Sequence, residues 1–544
     1  MWTFLLVCRF FVSQKNRYDQ ILVRKDILLS ASAHIQNRKS DLMPLLILAV
    51  LIVFFRLPSL DEPFDQDSAA NAYGARLIVQ GEPLYTSYHP GHHLPAIYYL
   101  YAFAFSLFGD RMFAIKFFLI LWMIPTAYLF YRLARHFTGD KGAWLAVVFF
   151  LLLSSERWLK GTTAEIELFA NLPRIGATLW LFILLRRDAK SWQFSLIGLL
   201  GAVSVLFKVV YLSPLVLAAV ILLLEFWPQR RVKGAVVHLA TCLGWIGAGF
   251  VAGTLPVIIY FGGLKLLPRL SLAFTLGQAH IDDTSAGMIF LLLYPLIGLS
   301  MSNLPILIMG LSGAWLMLRE RSMPGLQRSI IPLWLLLSFV EAGFSRKLFL
   351  HYYLLIVPPL SLLAAWLLTQ LHYTGQRHYG IKPIALIVSA LLLLSIGIAY
   401  IYRNGGYLYH YIRYETGIES YRAFVLNGWP PDGPTLVALQ DIADYIQAHS
   451  TPKDRIYIWS DDVQLYYLAN RRCALDFIWP IYVESPLVPG SPEEMQRRIL
   501  ASSTKFIVIA QDNPPGWLTQ GLAEHYKLAE IIEGRKIYQR TYTQ

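Results

Sequence analysis

Charge is scarce in this chain. Only 15% of its 544 residues are Asp, Glu, Lys or Arg, where a soluble domain carries roughly 25%. With 56% hydrophobic residues and a mean hydropathy of +0.47, that shortage excludes an ordinary soluble enzyme and a disordered chain alike. Cysteine is almost missing: Cys8, Cys242 and Cys473 are scattered, which excludes a disulfide framework and any spaced zinc motif. No small-residue cleavage site precedes the first long apolar run, so a cleavable signal peptide is not expected. Residues 1–41, with Lys15, Arg17, Arg24, Lys25, Arg38 and Lys39, read instead as an N-terminal cytoplasmic extension, or as a start placed ahead of Met43. No internal repeat or low-complexity tract stands out. The net charge of +12 sits largely in short loops, where membrane topology accounts for it and nucleic acid need not.

What the chain has in abundance is long apolar runs: Leu42–Leu57, Met112–Tyr131, Ala143–Ser154, Leu172–Leu185, Leu212–Phe226, Val236–Phe261, Leu304–Leu318, Leu348–Leu368 and Pro383–Tyr402. Runs near 20 residues are spanning length, and in hydrocarbon their backbones must be helical. The fold expected is an α-helical polytopic membrane protein of about 11–13 transmembrane helices, with a C-terminal extracytoplasmic α/β domain. Basic loops at Arg132/Arg135/Lys141, Arg186/Arg187/Lys190, Arg230/Arg231/Lys233, Arg319/Arg321/Arg328 and Arg377/Lys382 mark the cytoplasmic side. The N-terminus is then inside and the C-terminus outside the cell membrane. Leu94–Phe108 and Ala286–Leu299 are short and are expected as interfacial or re-entrant helices. The division is 1–41 as the extension, 42–402 as the transmembrane part with a first outer loop at 58–93, and 403–544 as the outer domain. In that tail, Leu436–Ala448 and Gln464–Ala469 have helical period, while Arg455–Trp459 and Lys505–Ala510 read as strands.

The first loop crowds Asp61, Glu62, Asp65 and Asp67 at the outer end of the first span. Asp67 and Ser68 occupy an N-cap position ahead of Ala69–Gln80, and Gly81 is a helix stop. Asp67 suits a general base for an acceptor hydroxyl; plain capping is the alternative. His89, His92 and His93 follow within five residues. A substrate-contacting lip suits them better than a metal, since no carboxylate completes a ligand set. Glu165 and Glu167 stand at the mouth of a span, as a polar site or as an exposed interfacial loop. Lys208 interrupts an apolar stretch, either snorkelling or facing a lipid phosphate. Arg346, His351 and Tyr352 precede Pro358-Pro359 and suit an anionic phosphate, or an interfacial anchor.

These residues carry a resemblance. Asp67-Ser68 through Tyr73-Gly74, Arg76-Leu77, Gly81-Glu82-Pro83-Leu84-Tyr85 and Pro95-Ala96-Ile97-Tyr98-Tyr99 resemble the first-loop pattern of the GT-C glycosyltransferases. The similar branch is that of the protein mannosyltransferases and the lipid A aminoarabinose transferase. Glu167-Leu168-Phe169 with Leu172-Pro173, Lys208, and His351-Tyr352-Tyr353 with Pro358-Pro359 resemble its later motifs, and stretches of the tail resemble its outer domain. The departures are His93-Leu94-Pro95, where many relatives have Lys-Pro-Pro, and Asp65-Gln66-Asp67, where many have Asp-Glu.

The resemblance implies inverting transfer of a sugar from a polyprenyl-phosphate donor to an extracytoplasmic protein, lipid or glycan. It implies Asp67 as catalytic carboxylate, Asp65 as second choice, and Glu167 as a further catalytic group. Glu165, His92, His93, Lys208, Arg346, His351 and Tyr352 would bind substrate. No metal or other cofactor is indicated, though a divalent ion is compatible. The partners implied are the lipid-linked donor, the acceptor and membrane lipids, with no nucleic acid. A transporter or flippase of lipid-linked sugars is the rival reading, and a scaffold that displays the tail is a third.

Overall fold

The computed structural model describes residues 42–541, apart from 188, 230–232, 283–287, 345–348, 378–381, 430–431, 484, 489, 491, 502 and 511–513. The 1–41 extension and Arg346 thus lie outside the described residues.

The described residues open with α1 (Leu42–Arg56), then a juxtamembrane α2 (Gln66–Val79), α3 (Ala96–Phe108) and α4 (Met112–Ser154). Helix α4 turns back on itself at Gly139, whose φ of +70° only glycine adopts cheaply. The Phe130 and Phe150 rings lie 5.0 Å apart, where a straight helix would separate them by about 30 Å. Next come α5 (Ile166–Leu184), α6 (Ser195–Phe207), α7 (Ser213–Phe226), α8 (Lys233–Gly263) and α9 (Leu267–Asp282). They are followed by α10 (Met288–Arg319), α11 (Gly325–Phe344), α12 (Val357–Arg377) and α13 (Lys382–Glu415).

Among the described residues, six helical stretches are long and apolar enough to cross a membrane: Met43–Asp61, Met112–Ser154, Ile166–Leu184, Gly234–Gly263, Leu293–Arg319 and Pro383–Glu415. Their outward faces are apolar, as at Phe54, Ile259 and Ile401, which suits lipid and not water. Residues 288–299 lie in the first part of α10, which breaks at Asn303, where the backbone leaves helical geometry between Pro295 and Pro305. Helix α13 continues past Tyr402 to Glu415, beyond the apolar run that announced it.

Helices pack through small residues where backbones must approach closely. A Cβ on Gly198 of α6 would lie 1.9 Å from the Ile246 carbonyl oxygen of α8, and one on Gly249 of α8 would lie 1.9 Å from that of Ser195.

The tail adds α14 (Tyr421–Gly428), α15 (Gly433–Ala448), α16 (Gln464–Leu468), α17 (Pro492–Ile499) and α18 (Gly516–His525). Its strands are β1 (Arg455–Trp459), β2 (Arg472–Cys473), β3 (Thr504–Ile509), β4 (Tyr526–Ile532) and β5 (Arg535–Arg540). They form one mixed sheet ordered β2-β1-β3-β5-β4, parallel between β1 and its neighbours and antiparallel from β3 through β5 to β4. The sheet-bearing tail docks on the first loop. Arg76 of α2 pairs with Asp110 at 2.5 Å and donates to the Tyr467 carbonyl at 2.8 Å. Cys473 N–H donates to the Tyr73 hydroxyl at 3.0 Å, and His89 N–H to the Asp476 carbonyl at 2.7 Å.

Candidate active site

Two short segments bring the acids together. The first precedes α2. Asp65, not Asp67, is its N-cap: the Asp65 carboxylate accepts from Ser68 N–H at 3.1 Å. Asp67 falls instead in the first turn, at the positive end of the helix, and its side chain stays 30% exposed. Capping, the bland alternative for Asp67, is thereby taken by its neighbour. Gly81 ends the helix region with φ +91°, as its position predicts.

The second segment joins α4 to α5. Arg56, buried at the end of α1, grips it by donating to the carbonyls of Ser154 and Gly161, both at 2.9 Å. Between them the turn sets Lys160 in the left-handed region, at φ +53°. Its ammonium lies 3.0 Å from Asp65, 3.8 Å from Asp67 and 3.9 Å from Glu165. Sequence reasoning missed Lys160, which had been hidden beside the acidic motif that begins two residues later.

Charges in this cluster perturb one another. Burial would push Asp65 up, but Lys160 and the hydrogen bonds from Glu165, Ser68 and Lys160 hold it well below the usual carboxylate range. Burial raises Asp67, with Asp65 adding to the rise and Lys160 opposing it. Burial and then Asp65 push Glu165 well up, which favours its protonated form. Burial alone would lower Lys160, yet Asp65, Glu165 and Asp67 hold it above its ordinary value.

The remaining groups come from deeper in the helical part. Glu167, in the first turn of α5, is buried and accepts from the Tyr211 hydroxyl at 2.5 Å. Lys208, just past α6, is buried and within electrostatic range of Glu167, Asp67 and Glu165. Its ammonium sits 3.7 Å from the centre of the Tyr352 ring, so it points inward and does not snorkel. His351 stands on a 3₁₀ turn, Leu350–Leu355, ahead of α12. One ligand atom from each of Asp67, Glu165 and His351 lies within 4.8 Å of the others, a set that could hold a metal by composition.

His92 and His93 rings lie 4.4 Å apart, and His93 Nδ1 is 3.4 Å from the Tyr98 hydroxyl. His93 is among the charges felt by His351, which puts the lip of the first loop near the cluster. His89 is drawn elsewhere. Its ring stacks on Phe477 of the tail, with Nε2 donating to the Arg269 carbonyl at 2.8 Å and Nδ1 accepting from Gly91 N–H.

Helix α5 ties the pieces together by a second group that sequence reasoning missed. Asn171 donates to the Leu354 carbonyl at 3.1 Å, and Arg174 to that of Leu355 at 3.1 Å. Arg174 also donates to Asn171, Ser213, Ser338 and, at 2.6 Å, Glu341 of α11. The helix that carries Glu167 therefore fixes the turn that carries His351. A lone Arg in the run Leu172–Leu185 and a lone Glu in α11 were the available signals.

Residues 89–258 match the family model of dolichyl-phosphate-mannose-protein mannosyltransferase, and residues 438–541 that of the putative competence-induced protein Ccs4 C-terminal domain. No curated protein sequence matches the chain. Among solved structures it is similar to ArnT from Cupriavidus metallidurans bound to undecaprenyl phosphate, at 14% identity and a TM-score of 0.61, over 93% of this chain and 99% of that one. The apo form of the same ArnT gives 15% identity and 0.59, over 91% and 97%. The Archaeoglobus fulgidus oligosaccharyltransferase, in complex with Zn and sulfate, gives 14% and 0.52, over 86% of this chain and 67% of that one. At such identities the likeness is one of fold, and the chain is accordingly a multi-span membrane protein with the GT-C fold, its helical part carrying a mixed-sheet C-terminal domain as in ArnT.

Proposed function

We propose that this chain is a membrane glycosyltransferase that moves a sugar, with inversion, from a polyprenyl-phosphate donor to an extracytoplasmic acceptor. The observation that carries the reading is the meeting of Asp65, Asp67, Lys160, Glu165 and His351, with Glu167 and Lys208 beside them. A transporter needs charged mouths, but not a partly buried carboxylate held beside a fixed cation at a helix N-terminus.

In the reaction, Asp67 accepts the proton of the acceptor hydroxyl as its oxygen attacks the anomeric carbon. The bond from that carbon to the phosphate oxygen breaks, and polyprenyl phosphate leaves with the negative charge. Lys208 and His351 are assigned to that charge, along with Arg346. Glu165 and Glu167 are assigned to the sugar and acceptor, and His92, His93 and Tyr352 to the rim of the site. Asp65 orients α2 through its cap and stays ionised against Lys160. ArnT was crystallised with undecaprenyl phosphate; a carrier of that kind suits a site beside helices whose outer faces are apolar. The basic loops support an N-terminus in the cytoplasm, with residues 403–544 and the site outside the cell membrane.

Transfer in detergent solution tests this reading, because a flippase has no two sides to connect there. The full chain is mixed with a membrane extract that supplies donor and acceptor. Release of polyprenyl phosphate together with a glycosylated acceptor is the expected result. An inert mixture, with donor moved across vesicles instead, contradicts it. Mass spectrometry of lipid-linked sugars and envelope glycans from cells lacking the protein would name the sugar.

A further inference from the structure

Asp67, Glu165 and His351 have the make-up of a divalent-cation site. His351 strengthens that likeness, because it is buried and its Nδ1 has no hydrogen-bond partner among the described residues. Yet a cation is already built into the cluster. The Lys160 ammonium reaches Asp65, Asp67 and Glu165 within 3.0–3.9 Å, and its charge is felt at His351.

The backbone is arranged to keep it there. Lys160 adopts φ +53°, a region that disfavours any side chain beyond glycine. The turn that imposes it is held at both ends by Arg56. It is closed by Gly161 N–H to the Glu156 carbonyl at 2.8 Å and by the Thr163 hydroxyl to the Lys160 carbonyl at 2.7 Å. A Cβ on Gly161 would come within 2.7 Å of the Ser154 backbone, so the turn has no room to relax. Strain of this kind at a functional cluster marks a side chain that is held in place.

We propose that Lys160 is the resident cation of the site and takes the charge-neutralising place of a divalent metal. Asp67, Glu165 and His351 then take up no metal while the ammonium is present. A dication at about 2.0–2.2 Å from carboxylate oxygens would crowd against a like charge that already neutralises part of the cluster. Removal of the ammonium leaves the carboxylates and the imidazole facing one another without a counter-ion, and the vacated set becomes a metal site.

The test is Mn²⁺ binding to the full chain in nanodiscs, followed by electron paramagnetic resonance. Lys160→Gly suits the left-handed turn, so the backbone should keep its shape. Wild type and Lys160→Arg are expected to bind no stoichiometric Mn²⁺. Lys160→Gly should bind one ion, tighter by about ten-fold or more, and His351→Ala in that background should remove it. Stoichiometric binding to wild type, or no gain in Lys160→Gly, overturns the proposal. The proposal rests on the transferase reading only for the use the site makes of Asp67. Metal binding is read without transfer, so an inert enzyme leaves this result standing, and a metal-binding wild type leaves the transferase reading intact.

Discussion

The Arg174–Glu341 pair is a charged contact inside the helical part. Arg174 lies in α5 and Glu341 in α11, and both are buried within the helical part. Arg174→Met removes the partner 2.6 Å from Glu341 and the donors to Leu355, Ser213, Ser338 and Asn171. Glu341 would keep the Ser213 N–H at 2.5 Å. Stranding a buried charge in this way costs about 3–5 kcal/mol in soluble cores. In membranes the unfolded helices find other partners, so about 3 kcal/mol is expected. Arg174→Met with Glu341→Leu removes both charges and should recover most of that loss, down to about 1 kcal/mol. A double-mutant cycle by denaturation in mixed micelles measures the coupling. Transfer should fall in the single variant too, since the Leu350–Leu355 turn loses the Arg174 tie to α5 and is left with that of Asn171. Additive single costs, or a single cost under about 1 kcal/mol, would refute the reasoning, because a desolvated pair must couple.

Gly198→Leu should separate α6 from α8, since even a Cβ meets the Ile246 carbonyl at 1.9 Å; overpacking of this kind costs about 1–3 kcal/mol or more, read as a lower melting midpoint, while Gly244→Leu, with nothing near its Cβ, should change little. His89 is kept neutral by burial, which lowers it from 6.5 to about 4. Its contribution is full above pH 6.5 and is lost as pH falls towards 4, because the unfolded state then binds the proton first. The shift amounts to at most about 3 kcal/mol, and the melting midpoint of the tail on the first loop should fall across that window in wild type but not in His89→Gln.

The sequence was legible where chemistry leaves a local mark. Apolar runs gave the helices, and alternation gave β1 and β3 close to their observed bounds. Asp67, Glu165, Lys208 and His351, far apart in sequence, do converge. What stayed hidden depended on tertiary packing. The cap passed to Asp65 because the helix starts one turn earlier than the run of alanines suggests. Lys160 has an unremarkable neighbourhood in sequence, and only the folded turn aims it at three carboxylates. The hairpin within α4, by contrast, was legible, because the apolar runs Met112–Tyr131 and Ala143–Ser154 flank the basic stretch Arg132/Arg135/Lys141, and the chain reverses at Gly139. The length of α13 rests on a polar extension, through Arg403 to Glu415, that hydropathy does not favour.

Sugar transfer from purified lipid-linked donor by Asp67→Asn shows whether Asp67 takes the acceptor proton. The amide keeps the size of the side chain, and the cap belongs to Asp65, so the variant should reach the membrane in normal amounts. A rate about 10²–10⁴-fold below wild type is expected if Asp67 is the base, with a smaller loss in Asp65→Asn; a wild-type rate in Asp67→Asn would remove Asp67 from that role.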